Sequence, residues 1–235
     1  MIDNLKAVIF DIDDTLFDRE QAQRQIVRLI ARELRDVFAG IDEETVIDAF
    51  LESDRVALHE YYSSSIGSGD SVRTGRSKAF LRILGLDEDC ADRITTMYVQ
   101  QYPAINVPVE GAKSVVENIA GRFPLGVVSN GLPDVQYQKL RTIGLEHFFR
   151  CILLSEEIGI RKPDPRIFWQ ASGLLNKKPD ECLYVGDSYH ADVVGARNAG
   201  MKACWFNPHG LLISRVSSRP DFEISALDEI LTILS

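Results

Sequence analysis

The chain has 235 residues, of which 45% are hydrophobic and 26% charged, a balance typical of a globular protein with one large domain or a core with an insert. Its formal net charge is −9 and its Lys and Arg residues form no cluster, which argues against a nucleic-acid-binding surface. No stretch could span a bilayer, and no basic segment followed by an apolar run begins the sequence, so we expect a cytoplasmic protein without membrane contact.

The first predicted element is a short buried strand with two acids at its end. Ala7–Phe10 is an unbroken apolar run, and Asp11, Asp13 and Thr15 follow it. Ligands of parallel α/β sheets bind outside the carboxyl ends of the strands, so these acids lie where chemistry is usually done. Two carboxylates this close repel each other, and the site therefore needs a cation or a proton held on one acid.

Residues 17–105 show helical periodicity and would form one small helical domain. Capping residues and apolar stripes predict four helices: from Asp18 to Gly40, from Asp42 through Leu51, from Val72 to Leu84, and from Asp87 towards Tyr102. The stretch Ser63–Ser71 is rich in Ser and Gly, which predicts a loop.

From Gly111 onwards, predicted helices alternate with strands. The strands are Leu125–Ser129, Cys151–Leu154, Cys182–Gly186 and Lys202–Phe206, and the tail adds a final strand and helix. This alternation predicts a parallel sheet covered by helices on both faces. The predicted fold class is α/β, with a Rossmann-like parallel-sheet core of residues 1–16 and 106–235 and an α-helical cap inserted at residues 17–105.

The four cysteines show no C-x-x-C spacing. Three of them, Cys151, Cys182 and Cys204, fall in or beside apolar strand-like runs, which predicts buried free thiols. A reducing compartment agrees with that pattern.

Polar residues also follow later strands of the predicted sheet. Ser129 and Asn130 end one strand, Lys162 stands before a proline-rich turn, and Asp187 and Asp192 follow another strand. The ordered set resembles the four motifs of the haloacid dehalogenase superfamily, a group dominated by phosphatases. The matching residues are Asp11-x-Asp13-x-Thr15, Ser129, Lys162, and Gly186-Asp187-Ser188 with Asp192.

The resemblance implies a role for each matching residue in phosphoryl transfer. Asp11 would be the nucleophile that forms an aspartyl-phosphate, and Asp13 the general acid and then the base. Ser129 and the backbone N–H of Asn130 would bind phosphate oxygens. Lys162 would supply positive charge to the transferred group and to Asp11.

The same resemblance implies a Mg²⁺ ion. Its ligands would be the Asp11 and Asp187 carboxylates, the backbone carbonyl of Asp13, phosphate and water, an all-oxygen shell that Mg²⁺ prefers. Asp192 would be either a further ligand or a support in the outer shell, because it could also serve as an acid at a helix N-terminus.

The implied function is Mg²⁺-dependent hydrolysis of small phosphomonoesters, with a cap that closes over the site and selects the substrate. The branch that looks most similar includes pyrimidine 5′-nucleotidases, since the segment Trp205–His209 resembles a loop of that branch. Alternatives are a phosphosugar mutase or a haloacid dehalogenase on the same site, and a non-catalytic binding or scaffold protein. Asp13 favours phosphoryl transfer over halide displacement, and the intact motif set disfavours a scaffold. The oligomeric state stays open.

The cap carries one candidate for nucleotide recognition. Tyr61 and Tyr62, followed by Arg73 and Arg76, could present aromatic faces and cations to a nucleoside phosphate. An amphipathic helix with snorkelling arginines explains the same residues, and we favour that interpretation on the pattern of charges.

Overall fold

The computed structural model describes residues 4–63, 69–213 and 218–235, and for residues 60–63 and 69–71 it describes the helical backbone only. The chain divides into two compact units, Met1–Asp18 with Asn106–Ser235, and Arg19–Ile105. The first unit extends two residues beyond the predicted boundary at residue 16. Phe17 is fully buried and pairs with Pro108, and the Asp18 N–H donates to the carbonyl of Val107, so both residues stay with the sheet unit.

Within the described residues, the first unit is built on a six-stranded parallel sheet. Its strands are β1 (Ala7–Phe10), β2 (Leu125–Ser129), β3 (Phe149–Leu154), β4 (Cys182–Gly186), β5 (Lys202–Phe206) and β6 (Phe222–Ile224). The predicted α/β fold is thus confirmed, and β3 begins two residues before its predicted start. Among the residues described, no helix is long and apolar enough to cross a membrane.

Strand β1 lies in the middle of the sheet, whose order is β3-β2-β1-β4-β5-β6. All four of its residues are buried, as expected for a continuous apolar run covered on both faces. The chain leaves β1 for β2 on one side and later returns to pair β4 on the other. The carboxyl ends of β1 and β4 therefore meet at a topological switch point, where open α/β sheets bind their ligands.

The helices of this unit are α5 (Ala112–Ala120), α6 (Pro133–Thr142), α7 (Ser155–Ile158), α8 (Pro165–Leu174), α9 (Gly195–Asn198) and α10 (Glu229–Ile233). A π-helical turn, Tyr189–Val194, leads from the end of β4 into α9. Helix α8 packs its buried Ile167, Phe168 and Ala171 onto one face of the sheet. Cys151, Cys182 and Cys204 are buried free thiols, as predicted, and burial raises the pKa of Cys182 to about 12.

The second unit contains α1 (Arg19–Glu33), α2 (Glu43–Ser63), α3 (Gly69–Ile83) and α4 (Ala91–Gln101). The prediction that the first helix continues to Gly40 was wrong, because turns follow Glu33. Leu34 and Phe38 remain buried in those turns, so their apolar spacing reflects burial rather than helix. Asp42 precedes α2, and its carboxylate accepts from the Thr45 N–H at 3.0 Å.

Helix α3 starts at Gly69, three residues earlier than predicted, so the end of the predicted loop Ser63–Ser71 is helical. Residues 64–68 of that loop lie outside the described residues, as do the side chains of Tyr61 and Tyr62. The predicted base-stacking pair is therefore an expectation that the structure does not address.

Arg76 does not snorkel to the surface, contrary to prediction. Its guanidinium is buried, donates to Asp54 at 2.9 Å and lies 3.8 Å from the centre of the Tyr98 ring. Arg19 also donates to the Asp54 carboxylate. The charge pattern of α3 gave no sign of this, because the buried acid that pairs with Arg76 lies 22 residues away on α2.

This buried ion cluster should make the stability of the helical unit depend on pH. Burial raises the pKa of Asp54, but Arg19 and Arg76 lower it more strongly, from 3.8 to about 2. The folded state thus favours the carboxylate. The ionised Asp54 therefore contributes about 2 kcal/mol to the free energy of unfolding. This contribution is fully present above about pH 4 and is lost as the pH falls towards 2.

We expect Asp54→Asn to lower the free energy of unfolding by about 3–5 kcal/mol at pH 7, because it removes one partner of a buried ion cluster. Below about pH 4 the difference from the wild type should narrow as Asp54 itself becomes protonated. Urea titrations followed by circular dichroism at several pH values measure both effects. Asp48→Asn, on the exposed face of the same helix, should change stability by less than about 0.5 kcal/mol. A difference that stayed constant from pH 5 to pH 3 would contradict the assignment.

Candidate active site

Three carboxylates meet at the carboxyl ends of β1 and β4. Asp11 follows β1, while Asp187 and Asp192 follow β4, and one oxygen of each lies within 4.8 Å of the others. Burial is the main cause that raises the pKa of Asp11 to about 7, and it also raises the pKa of Asp187 well above its ordinary value. Asp192 adds repulsion to both. The cluster therefore favours either a proton or a bound cation.

Lys162 is buried among these acids. Its Nζ donates to Asp11 Oδ1 and to Asp192 Oδ1, each at 2.7 Å, and to the Tyr184 hydroxyl at 3.0 Å. Burial alone would lower the pKa of this lysine, but Asp11 and Asp192 raise it well above 10.5. Lys162 thus places a positive charge beside Asp11.

Asn130 holds the backbone of Lys162. The Asn130 side-chain oxygen accepts from the Lys162 N–H at 2.9 Å, and its side-chain nitrogen donates to the Lys162 carbonyl at 3.0 Å. Only the backbone N–H of Asn130 was predicted to belong to the site. The side chain has a second role, since these two hydrogen bonds fix the lysine segment against the end of β2.

Asp192 is surrounded by donors and almost fully buried. Oδ1 accepts from Lys162 and from the Tyr184 hydroxyl at 3.1 Å, and Oδ2 accepts from the Ser188 N–H at 2.9 Å. The end of β4 approaches this carboxylate closely. A Cβ at Gly186 would lie 2.3 Å from Asp192 Oδ2, so any other residue there would displace this carboxylate.

The side chain of Asp13 belongs to a different group of contacts. Its Oδ1 accepts from Lys139 Nζ, and its Oδ2 accepts from Gln136 Nε2 at 2.7 Å. Gln136 Nε2 also donates to the hydroxyl of Ser129 at 2.9 Å. The second predicted acid is thereby tied to helix α6 and joined to the predicted phosphate-binding serine.

Gln136 and Lys139 were not predicted from the sequence as site residues. Both lie on the buried face of α6, beside Leu140, where the helical pattern calls for apolar side chains. Two polar residues at i and i+3 on such a face were a signal that could have been used. Tyr184 was missed as well, because a tyrosine in an apolar strand is most simply explained as a core residue.

The remaining site residues support Asp187 and Ser129. Thr15 Oγ1 donates to Asp187 Oδ1 at 3.4 Å, and Trp205 Nε1 donates to the Asp187 carbonyl at 2.7 Å. Ser129 Oγ accepts from the Gly131 N–H at 3.1 Å. Trp205 thus contacts a site residue. Asn207, in the same segment, instead forms side-chain hydrogen bonds with Leu211 and Glu223.

A comparison with protein families identifies the family of this chain. A family model described as haloacid dehalogenase-like hydrolase matches residues 5–200, which include all the residues of the cluster. The chain belongs to this family. The predicted resemblance and the predicted class, a hydrolase, are both confirmed, and relatives that are phosphatases and nucleotidases agree with a phosphoric monoester hydrolase.

Two curated relatives and one solved structure illustrate the similarity. The glyceraldehyde 3-phosphate phosphatase of Methanopyrus kandleri is 30% identical over 204 residues, covering 84% of this chain and 82% of the relative. Pyrimidine 5′-nucleotidase YjjG of Escherichia coli K12 is 25% identical, covering 86% of each chain. The magnesium-bound structure of HAD-hydrolase YfnB from Bacillus subtilis is 26% identical with a TM-score of 0.84, covering 98% of this chain and 99% of that one.

Proposed function

We propose that the protein is a Mg²⁺-dependent phosphatase that hydrolyses small phosphomonoesters through an aspartyl-phosphate on Asp11. The observation that carries the proposal is that Asp11 and Asp13, two residues apart in the sequence, have separate sets of contacts. Asp11 sits beside Lys162 in the carboxylate cluster, whereas Asp13 is held by Gln136 and Lys139. Two acids with separate roles in one reaction need different partners. A divalent cation at the cluster would hold Asp11 in its ionised form.

In the first step, a carboxylate oxygen of Asp11 attacks phosphorus, and the bond from phosphorus to the ester oxygen breaks. Asp13 gives its proton to that leaving oxygen, so the alcohol departs neutral. Lys162 stabilises the carboxylate before attack and the phosphoryl charge afterwards. Ser129 and the N–H of Asn130 would bind the non-bridging oxygens.

In the second step, water attacks the phosphorus of the aspartyl-phosphate and Asp13 takes the proton that the water loses. The bond between phosphorus and the Asp11 oxygen then breaks, which releases inorganic phosphate and restores the carboxylate. Asp13 begins as an acid and ends as a base, and after the second step it is protonated again for the next turnover.

The residues of the cluster fit a hard divalent cation. Asp11, Asp187 and Asp192 offer only oxygen atoms, and their burial and mutual repulsion leave them short of positive charge even with Lys162 present. Of the three, Asp11 and Asp187 would be direct ligands, together with the backbone carbonyl of Asp13. Lys162 and the Ser188 N–H already donate to the two oxygens of Asp192, which favours a supporting role for it. When bound, Mg²⁺ would offset the charge of the phosphate dianion beside these acids.

The substrates we propose are small phosphorylated molecules, including nucleoside 5′-monophosphates. The support comes from relatives that are named as phosphatases of glyceraldehyde 3-phosphate or phosphoserine, or as pyrimidine 5′-nucleotidases. Family membership further supports the helical unit, Arg19–Ile105, as the cap that selects among them.

The purified protein should hydrolyse p-nitrophenyl phosphate with Mg²⁺, and excess EDTA should abolish turnover. The reason is the acid cluster, which together with a phosphate dianion needs a cation. Asp187→Asn should raise the Mg²⁺ concentration that gives half-maximal activity, whereas Asp180→Asn, an exposed acid of the same unit, should not. Full activity in excess EDTA would contradict the metal assignment, and turnover of a 2-haloacid without metal would favour a dehalogenase.

The same assay identifies the substrate class. The kcat/KM values for UMP and dTMP, compared with those for glyceraldehyde 3-phosphate, glucose 6-phosphate and phosphoglycolate, should favour the nucleotides. Tyr61→Ala and Tyr62→Ala should reduce that preference if the tyrosines stack on the base. Equal efficiency on all five compounds leaves a phosphatase of broad specificity.

A further inference from the structure

We infer that Gln136 and Lys139 are positioning residues for proton transfer, which hold the Asp13 carboxylate in place and link it to Ser129. The inference rests on the proposed role of Asp13 as general acid and base. Both residues lie on helix α6 and would act through Asp13 rather than on the substrate.

Lys139 is the first of these two residues. Its side chain is only 3% exposed, and lysine is almost never buried to that degree unless it is paired. The ammonium group lies 4.8 Å from the centre of the Phe17 ring and donates to Asp13 Oδ1. Burying this charge in α6 costs free energy, and the contact with Asp13 offsets that cost. Asp13 is also the carboxylate that is proposed to transfer protons.

Gln136 is the second. Its side-chain NH₂ donates to Asp13 Oδ2 and also to Ser129 Oγ. The opposite end, Oε1, is buried and accepts from no donor among the residues that the structure describes. An unsatisfied buried acceptor destabilises the folded state, so stability alone does not explain glutamine here.

Gly131 allows the loop after β2 to reach this glutamine. A Cβ at position 131 would lie 1.8 Å from Gln136 Nε2, so only glycine leaves room for the amide between the loop and Asp13. The backbone N–H of the same glycine donates to Ser129 Oγ. Loop, serine, glutamine and acid thus form one continuous set of hydrogen bonds.

The two donors hold different oxygens of one carboxylate. Lys139 binds Oδ1 and Gln136 binds Oδ2, which fixes both the position of the group and the plane in which it can offer a proton. Proton transfer depends steeply on such geometry, because the acid must lie within hydrogen-bond reach of the leaving oxygen. The link to Ser129 sets that plane relative to the residue proposed to bind the phosphate.

The test uses Gln136→Met and Lys139→Met, with Gln138→Met on the exposed face of the same helix as the matched control. Rates are measured with p-nitrophenyl phosphate, whose leaving group needs little protonation, and with glycerol phosphate, whose alkoxide needs much. We expect kcat to fall roughly 10- to 100-fold on glycerol phosphate, a part of the usual contribution of acid–base catalysis, and far less on p-nitrophenyl phosphate. KM should change little, and Gln138→Met should match the wild type.

Equal losses on both esters, or a loss confined to KM, would overturn the inference and leave the two residues a structural role. Thermal melting of each variant identifies any that are unfolded. Gln136→Met removes no charge, so it still tests the inference if Lys139→Met does not fold. Asp13→Asn is measured in parallel. If the loss of kcat in Asp13→Asn is the same for both esters, the proposed function fails. If that loss depends on the leaving group in Asp13→Asn but not in the Gln136 and Lys139 variants, only this inference fails.

Discussion

Asp11→Asn should lower kcat by at least about three orders of magnitude, as expected when a covalent nucleophile is removed. The amide is nearly the same shape as the carboxylate, and its oxygen can still accept from Lys162 Nζ. Burial disfavours the charged form of Asp11, so the neutral variant should fold without a large loss of stability. Steady-state rates on p-nitrophenyl phosphate and a thermal melt measure the two effects.

Asp14→Asn is the matched control for that variant. Asp14 lies in the same turn with a φ of 54°, a left-handed conformation that asparagine also tolerates. It has no role in the proposed chemistry, and most of the wild-type rate should remain. Comparable losses in both variants would show that the turn, and not the nucleophile, is sensitive to substitution.

Asp13→Asn should reduce kcat by about 10²–10⁴-fold, the range typical of general acid–base catalysis. The loss should be largest for alkyl phosphates and smallest for p-nitrophenyl phosphate, because an amide cannot protonate a poor leaving group. Asparagine can still accept through its oxygen, so the contact with either Lys139 or Gln136 can persist. A plot of log kcat against the pKa of the leaving group measures the difference in slope.

The same variant also separates the two proposed steps. With p-nitrophenyl phosphate, water activation in the second step becomes limiting, and an initial burst of p-nitrophenol should precede slow turnover. A slope equal to that of the wild type, without a burst, would rule out Asp13 as the acid and base.

Sequence patterns predicted the sheet well because its signal is local. β1, β2 and β4 are apolar runs whose residues are buried in the structure, and their ends carry the polar residues that the motifs required. Asp11 and Asp187 come together for a simple topological reason. Parallel strands deliver their carboxyl ends to one edge of the sheet, so residues more than 150 positions apart become neighbours.

Contacts between distant elements could not be predicted in this way. Gln136 and Lys139 meet Asp13 across more than 120 residues, and no periodicity within α6 identifies that partner. Arg76 was misassigned for the same reason, since its charge is matched by a buried acid on another helix. The turns after Glu33 show a further limit: apolar spacing reports burial, and burial does not require a helix.

The most direct test of the proposed mechanism is chemical trapping of the intermediate. The enzyme is mixed with p-nitrophenyl phosphate and Mg²⁺, quenched within the first turnover and reduced with borohydride, which converts an acyl phosphate to an alcohol. Mass spectrometry of the peptides should find the reduced side chain at Asp11, in greater yield for Asp13→Asn and not at all for Asp11→Asn. Rapid formation of p-nitrophenol with an unmodified Asp11 peptide would contradict covalent catalysis by this residue.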